Sequence, residues 1–325
     1  MNAEHFVGKY GADIVRLWAV SVDYQNEVPF SEESFKGLAE SYRSFRNILR
    51  ILLGNLDGFV AARDAVEFVG MGEVGGVSLD TPGVTGEIIG GTIVDRWILS
   101  RLQDVIATCR EGYAAYDFRK VFQTLNQFVA VEISALYVDI TKDRLYCDAA
   151  TSPRRRATQT VMHRVFTDLT RLLAPILAFT ADEAWTTRPG AASVHLESFP
   201  EAEAALIDKA LEARVEKLLA LRGVIAQAVE PARQAKQIGN ALEGAVTLAL
   251  ADEALLASLR GSEADLEEFF ILSDLTLTAG AETTASIVPT AHKKCARCWR
   301  HRASVGANAA HADLCERCAS VVAAL

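Results

Sequence analysis

Residues Ser31–Gly58 read SEESFKGLAESYRSFRNILRILLGNLDG, and the spacing within this stretch decides the fold class. Phe35, Leu38, Tyr42, Phe45, Leu49, Leu52 and Leu56 recur every three or four residues, the period of one helix face. Ser31 stands where an N-cap hydroxyl is wanted, and Gly58 lies near the expected end. Arg43, Arg46, Asn47 and Arg50 share the opposite, polar face because their spacings are also three and four. A charged face of this kind is ordinarily solvated, and alone it points to no ligand.

The same period returns in DRWILSRLQDVIATCREGYAAYD (95–117) and continues through FRKVFQTLNQFVAVEISALYVDITKDRLY (118–146). After the polar TSPRRRA (151–157), Val161, Val165, Leu169, Leu172 and Ile176 mark a further helix to about Pro175. Thr180-Ala-Asp-Glu183 has the form of a capping box and predicts a short helix carrying Trp185. Residues 1–200 are therefore expected as a helical bundle, interrupted by a glycine-rich excursion at 60–92 that reads as a long loop.

From 206 to 237 the pattern predicts one long amphipathic helix with a kink at Pro231. The period then changes. AVTLAL (245–250) and FILSDLTLT (270–278) alternate as strands, with the helical patterns DEALLASLRG and EADLEEFF between them. AGAETTAS (279–286) reads as a linker. The expected fold is mainly α, with a helical bundle over 1–200, a long helix and small α/β subdomain over 201–288, and a cysteine-rich tail over 289–325.

The longest strongly apolar run, Leu172–Phe179, contains Pro175 and is far short of the roughly 20 residues that cross a bilayer. No membrane span is expected. The first residues, MNAEHFVGKYGAD, lack the basic start, apolar stretch and cleavage site of a secretory signal, so the expected compartment is cytoplasmic. Net charge is −9, which argues against nucleic acid as a partner only until charge is read locally. The segment 291–325 holds Lys293, Lys294, Arg297, Arg300, Arg302 and Arg317 against Asp313 and Glu316, a basic island on an acidic chain.

That island carries four of the six cysteines. Cys295-x-x-Cys298 and Cys315-x-x-Cys318 have the spacing of a zinc knuckle or ribbon, in which two tight turns offer four thiolates to one tetrahedral ion. Such a closed site leaves no position for water, so the metal holds structure. Two disulfides, a redox dithiol and a rubredoxin-like iron site are the rival readings. His292, His301 and His311 lie close in sequence and are taken as bystanders, and Cys109 and Cys147 as buried thiols in helices. Trp299, amid Arg297, Arg300, His301 and Arg302, suits stacking of an unpaired RNA base. It equally suits packing against the knuckle as a miniature core.

Eight phrases occur in order along the chain: KYGADIVRLWAVSVDYQNEVPFSEE (9–33), YRSFRNILRILLGNL (42–56), DRWILSRL (95–102), ALYVDITKDRLYC (135–147), RRATQTV (155–161), LLAPILAFTADEAW (172–185), ARQAKQIGNALEGAV (232–246) and CARCWRH…LCERC (295–318). Together they resemble the C-terminal half of bacterial isoleucyl-tRNA synthetases, class I aminoacyl-tRNA synthetases. Several phrases are shared with the valyl and leucyl enzymes. KDRLYC and the terminal CxRCW…LCxRC knuckle are particular to the isoleucyl type.

The resemblance implies an α-helical anticodon-binding domain and a zinc-bearing C-terminus. It implies that the parent enzyme, an isoleucine-tRNA ligase of protein biosynthesis, attaches isoleucine to its tRNA using ATP and magnesium. The HIGH and KMSKS signatures of that reaction are absent from these residues, so the chain is expected to be a catalytically inactive fragment. Its expected partners are isoleucine tRNA and the missing catalytic and editing domains, and it is expected to be a monomer. The resemblance places one structural zinc on Cys295, Cys298, Cys315 and Cys318. It turns Arg297, Trp299, Arg300, Arg43, Arg46 and Arg50 toward RNA, and suggests phosphate contacts for Arg154, Arg155 and Arg156 beside Lys142 and Arg144. The alternative is a free-standing zinc-ribbon RNA-binding or assembly protein without catalytic activity.

Overall fold

The computed structural model describes residues 3–27, 31–66 and 91–325. Most of the expected glycine-rich excursion, 67–90, lies outside the described residues. The helices in chain order are α1 (Ala3–Tyr10), α2 (Ala12–Ser21), α3 (Glu32–Asn55), α4 (Ala61–Asp64), α5 (Ile93–Ala114), α6 (Phe118–Gln127), α7 (Asp139–Cys147), α8 (Pro153–Leu173), α9 (Ala178–Thr186) and α10 (Lys209–Gln234). Strand β1 (Gly244–Leu250) is followed by α11 (Glu253–Leu259), α12 (Glu263–Phe270), β2 (Asp274–Ala279) and β3 (Thr284–Pro289). The tail contains the two-residue strands β4 (Lys293–Lys294) and β5 (His301–Arg302), then α13 (Glu316–Ala323). The chain is mainly α, as its periodicity predicts, and no helix among the described residues is long and apolar enough to cross a membrane.

Two compact units emerge. The first comprises the described parts of Met1–Gly72 with Asp95–Asp139 and Arg156–Asp208. Here α3 follows its sequence pattern: the Ser31 hydroxyl accepts from the Ser34 N–H, Glu32 and Glu33 favour the positive first turn, and Phe35, Phe45, Ile48, Leu49 and Leu52 are buried. Each such side chain contributes roughly 1.5–3 kcal/mol by leaving water. A buried polar knot holds the helices in register, for Asp95 Oδ1 accepts from the Tyr137 hydroxyl at 2.7 Å and from the Thr158 hydroxyl at 3.2 Å. Between α6 and α7 the backbone widens into a π-helix over Phe128–Val138.

The capping box predicted at Thr180 is not formed. Helix α9 begins two residues earlier, and its N-cap residue Leu177 makes no side-chain cap. The Asp13 carboxylate on α2 caps instead, accepting from the Phe179 N–H at 3.2 Å, the Thr180 N–H at 2.7 Å and the Thr180 hydroxyl at 2.6 Å. A charged acceptor from another helix outcompetes the local hydroxyl because charge-assisted bonds are the stronger kind.

The second unit comprises Ile140–Arg155 and Lys209–Leu325, with the described residues up to Val94. Its sheet has the order β2-β1-β3. β1 runs parallel to β2, with Val246 opposite Leu275 and Leu248 opposite Leu277, and α11 and α12 make the crossover that parallel pairing requires. β3 pairs antiparallel with β1 and packs on α10. The expected linker at 279–286 is thus mostly the turn into, and the start of, a strand. TASIVP is too short and too polar to show a period, and β1 supplies the ladder that makes it extended.

Buried in this unit, Arg144 of α7 meets Glu268 of α12 through two contacts, Nε to Oε1 at 3.0 Å and Nη2 to Oε2 at 2.9 Å. The Arg144 side chain is only 1% exposed. Glu268→Ala is expected to destabilise this unit by about 3–5 kcal/mol, because it strands a buried guanidinium. Asp13→Ala is expected to cost the first unit about 1–3 kcal/mol through loss of the α9 cap. Urea unfolding of each variant against the parent chain measures both.

Candidate functional site

Cys295 and Cys298 lie on the turn between β4 and β5, where the Trp299 N–H reaches the Cys295 carbonyl at 3.0 Å and the Cys295 N–H reaches the Arg300 carbonyl at 2.9 Å. Cys315 is the N-cap residue of α13 and Cys318 lies in its first turn, so the positive end of a helix faces two of the thiols. The four sulfur atoms all lie within 4.8 Å of one another, and all six cysteines of the chain are free thiols. Cys298 Sγ and Cys315 Sγ are 3.8 Å apart, the separation that two ligands of a tetrahedral ion show when metal–sulfur bonds are about 2.3 Å. The donor set and its geometry fit a structural zinc ion. None of the three nearby histidines joins the set, and His301 Nδ1 instead meets the His292 carbonyl at 2.8 Å.

Burial works against ionisation of Cys295, yet N–H groups of Cys298, Cys315 and Arg297 aimed at its sulfur prevail and bring its pKa down to about 7. Burial pushes Cys298 up to about 11 and raises Cys318 as well. A divalent cation would offset the cost of holding these thiols together as thiolates. Cys147, read from sequence as a solitary helical thiol, packs in the same buried cluster as Cys295, Cys315 and Cys318.

The arginines of the basic island are engaged by protein. Arg297 sends Nη1 to the Cys147 carbonyl and Nη2 to the Tyr146 carbonyl at 3.2 Å, placing a cation on the C-terminal carbonyls of α7. Arg300 is buried, 7% exposed, and donates to the Leu272 carbonyl. That carbonyl is presented by a turn in which Ile271 adopts φ +58°. Arg302 pairs with Glu267 at 2.7 Å, and Arg317 with Asp143 at 2.7 Å and Asp148 at 3.3 Å. Arg300, expected to face RNA, is therefore turned inward, and Arg297 fastens the knuckle to α7. The carbonyls and carboxylates responsible stand far away in sequence, and none falls within the tail.

Trp299 is the opposite case. The residue is 63% exposed, so it is not the miniature core of the knuckle, and Lys294 Nζ lies 5.5 Å from the ring centroid. Its φ of +63° is a left-handed conformation that glycine adopts freely and other residues at a cost of about 1–2 kcal/mol.

In the first unit, Arg43 and Arg50 are exposed on α3 and make no hydrogen bond or ion pair among the described residues. Arg46 is clamped by both oxygens of Glu183, at 2.7 and 2.9 Å. The arginines of the suggested phosphate cluster at the start of α8 are each engaged by protein groups. Arg154 pairs with Asp148, Arg155 donates to the Asp148 carbonyl, and Arg156 bonds Gln159.

Two family models match the chain, "Anticodon-binding domain of tRNA ligase" over residues 95–249 and "Zinc finger found in FPG and IleRS" over residues 293–321. An isoleucine–tRNA ligase of Desulfitobacterium hafniense (strain DSM 10664 / DCB-2) is 39% identical over 97% of this chain and 34% of its own length. That of Brachyspira hyodysenteriae is 37% identical over 97% of the chain and 33% of its own length. That of Xanthomonas campestris pv. campestris (strain 8004) is 40% identical over 95% and 31%. The chain spans about a third of the length of these curated relatives. Among solved structures, the ternary complex of Agrobacterium radiobacter K84 agnB2 LeuRS with tRNA and LeuAMS aligns with 80% of the chain at 15% identity and a TM-score of 0.44, too slight a likeness to define the fold.

Elemental analysis of the purified chain is expected to find about one zinc ion per molecule, lost in Cys295→Ser. Hydrogen exchange should then accelerate in residues 293–321 and leave the amides of α3 unchanged. A metal-free preparation with a protected tail would overturn the assignment.

Proposed function

We infer that this chain, which is similar to the isoleucine–tRNA ligases over nearly its whole length, is the part of such an enzyme that grips the anticodon stem-loop of isoleucine tRNA. The observation that carries this reading is Trp299. A large aromatic ring stands exposed on a metal-type knuckle, in a backbone conformation that costs stability. Strain retained at an exposed aromatic points to function, because neither packing nor backbone preference explains it. An unpaired base stacks on such a ring whatever its sequence, with about 1–3 kcal/mol per base.

On this reading residues 1–200 form the bundle that meets the stem-loop, 201–288 carry the knuckle, and 289–325 present Trp299. Arg43 and Arg50 on α3 are the cations we place against the RNA backbone, and Arg46 joins them by giving up Glu183. Zinc on Cys295, Cys298, Cys315 and Cys318 holds the turn that displays the tryptophan. ATP, magnesium and the attachment of isoleucine belong to the remaining length of the parent enzyme, which we place in the cytoplasm as a monomer. The chain alone is expected to give no isoleucine-dependent exchange of pyrophosphate into ATP.

Trp299→Ala is expected to weaken binding of isoleucine tRNA by roughly 1–3 kcal/mol with the fold intact. The measurement compares isoleucine tRNA with one altered in its anticodon, at one stated salt concentration. Identical affinities for parent chain and variant would remove Trp299 from the interface.

A further inference from the structure

The tail contains two kinds of cation. Arg297, Arg300, Arg302 and Arg317 are occupied by protein oxygens. Lys293 and Lys294 are both exposed, and neither makes a hydrogen bond or ion pair among the described residues. They form β4, which pairs with β5 in the register Lys293 to Arg302 and Lys294 to His301. Every side chain of this four-residue ribbon is therefore cationic or becomes so on protonation. Like charges set directly opposite each other on a ladder oppose its formation. Arg302 is relieved by Glu267 and by the Ser273 carbonyl, and the His301 ring is held on the His292 carbonyl. The two lysines receive no such relief from a carboxylate.

One of them, Lys294, lies over the exposed ring of Trp299, with Nζ 5.5 Å from its centroid. Two lysines alone would attract any polyanion. Lys294 over an exposed aromatic, with Lys293 next to it on β4, favours a ligand that carries a phosphate and a planar base in adjacent positions, which describes an unpaired nucleotide. We propose that Lys293 and Lys294 are the phosphate-contacting residues of this interface, holding the backbone beside the nucleotide that stacks on Trp299, while the four arginines secure the knuckle from behind. This assignment rests on the RNA-binding reading above, and extends it to residues that neither the cysteine motif nor the tryptophan singles out.

The experiment measures binding of the full 325-residue chain to isoleucine tRNA across a salt series, for the parent, Lys293→Gln, Lys294→Gln, Trp299→Ala and Lys217→Gln on α10. A lysine that neutralises one phosphate of a single strand contributes about 0.7 to the slope of log affinity against log salt. Each lysine variant is therefore expected to flatten the slope by about 0.7 and to weaken binding roughly fivefold at 0.1 M salt. Trp299→Ala is expected to lower affinity at an unchanged slope. Unchanged slopes in both lysine variants would overturn the assignment while leaving the tryptophan reading in place. An equal loss in Lys217→Gln would reduce the effect to net charge and overturn it too. Absence of tRNA binding by the parent chain would overturn both readings together.

Discussion

The guanidinium of Arg144, buried against the Glu268 carboxylate, is the interaction on which the second unit depends. A charge so deeply desolvated persists only when its partner is held in place, and here the partner is held by the crossover that also forms the sheet. Around this pair the acids Asp143, Asp148, Glu267 and Glu268 gather Arg154, Arg300, Arg302 and Arg317. The arrangement converts a short tail with few large apolar residues into a docked one. A metal ion on the four clustered thiols would close the knuckle, and the arginines fix where it sits on α7, α12 and the start of β2.

This division of labour explains the posture of Trp299. A knuckle stabilised by a metal site and by ion pairs does not need its tryptophan as core, so the ring remains free. The left-handed backbone at that position is tolerated because the turn is fixed on both sides, by the thiol cluster and by the Arg300 carbonyl bonded to the Cys295 N–H. The exposed lysines of β4 complete a surface whose charge the neighbouring arginines do not supply.

Much of this was legible in the residues alone. The period of Phe35, Phe45, Leu49 and Leu52 places α3 and its buried face, and the two Cys-x-x-Cys pairs identify a metal-type knuckle. The limits were specific. Thr180 carries a valid local capping signal, but Asp13, more than 160 residues away, takes the Thr180 N–H and hydroxyl that the box would use. TASIVP becomes a strand because β1 offers it a ladder. Arg297 and Arg300 look like RNA-facing cations in a one-dimensional count, since the carbonyls of Cys147 and Leu272 that accept from them are distant in sequence.

The sequence by itself determined the mainly helical class, the long α3 and α10, the change of period that starts the α/β portion, and the four thiols that cluster in the tail. All of these depend on spacings within a few residues, where local geometry decides which side chains share a face. Tertiary structure alone decided which cations remain available. Whether an arginine faces solvent or a carboxylate is settled by Coulomb and hydrogen-bond partners that converge only once the chain has folded. For that reason Arg297, Arg300, Arg302 and Arg317 became internal struts, while Lys293, Lys294 and Trp299 became surface.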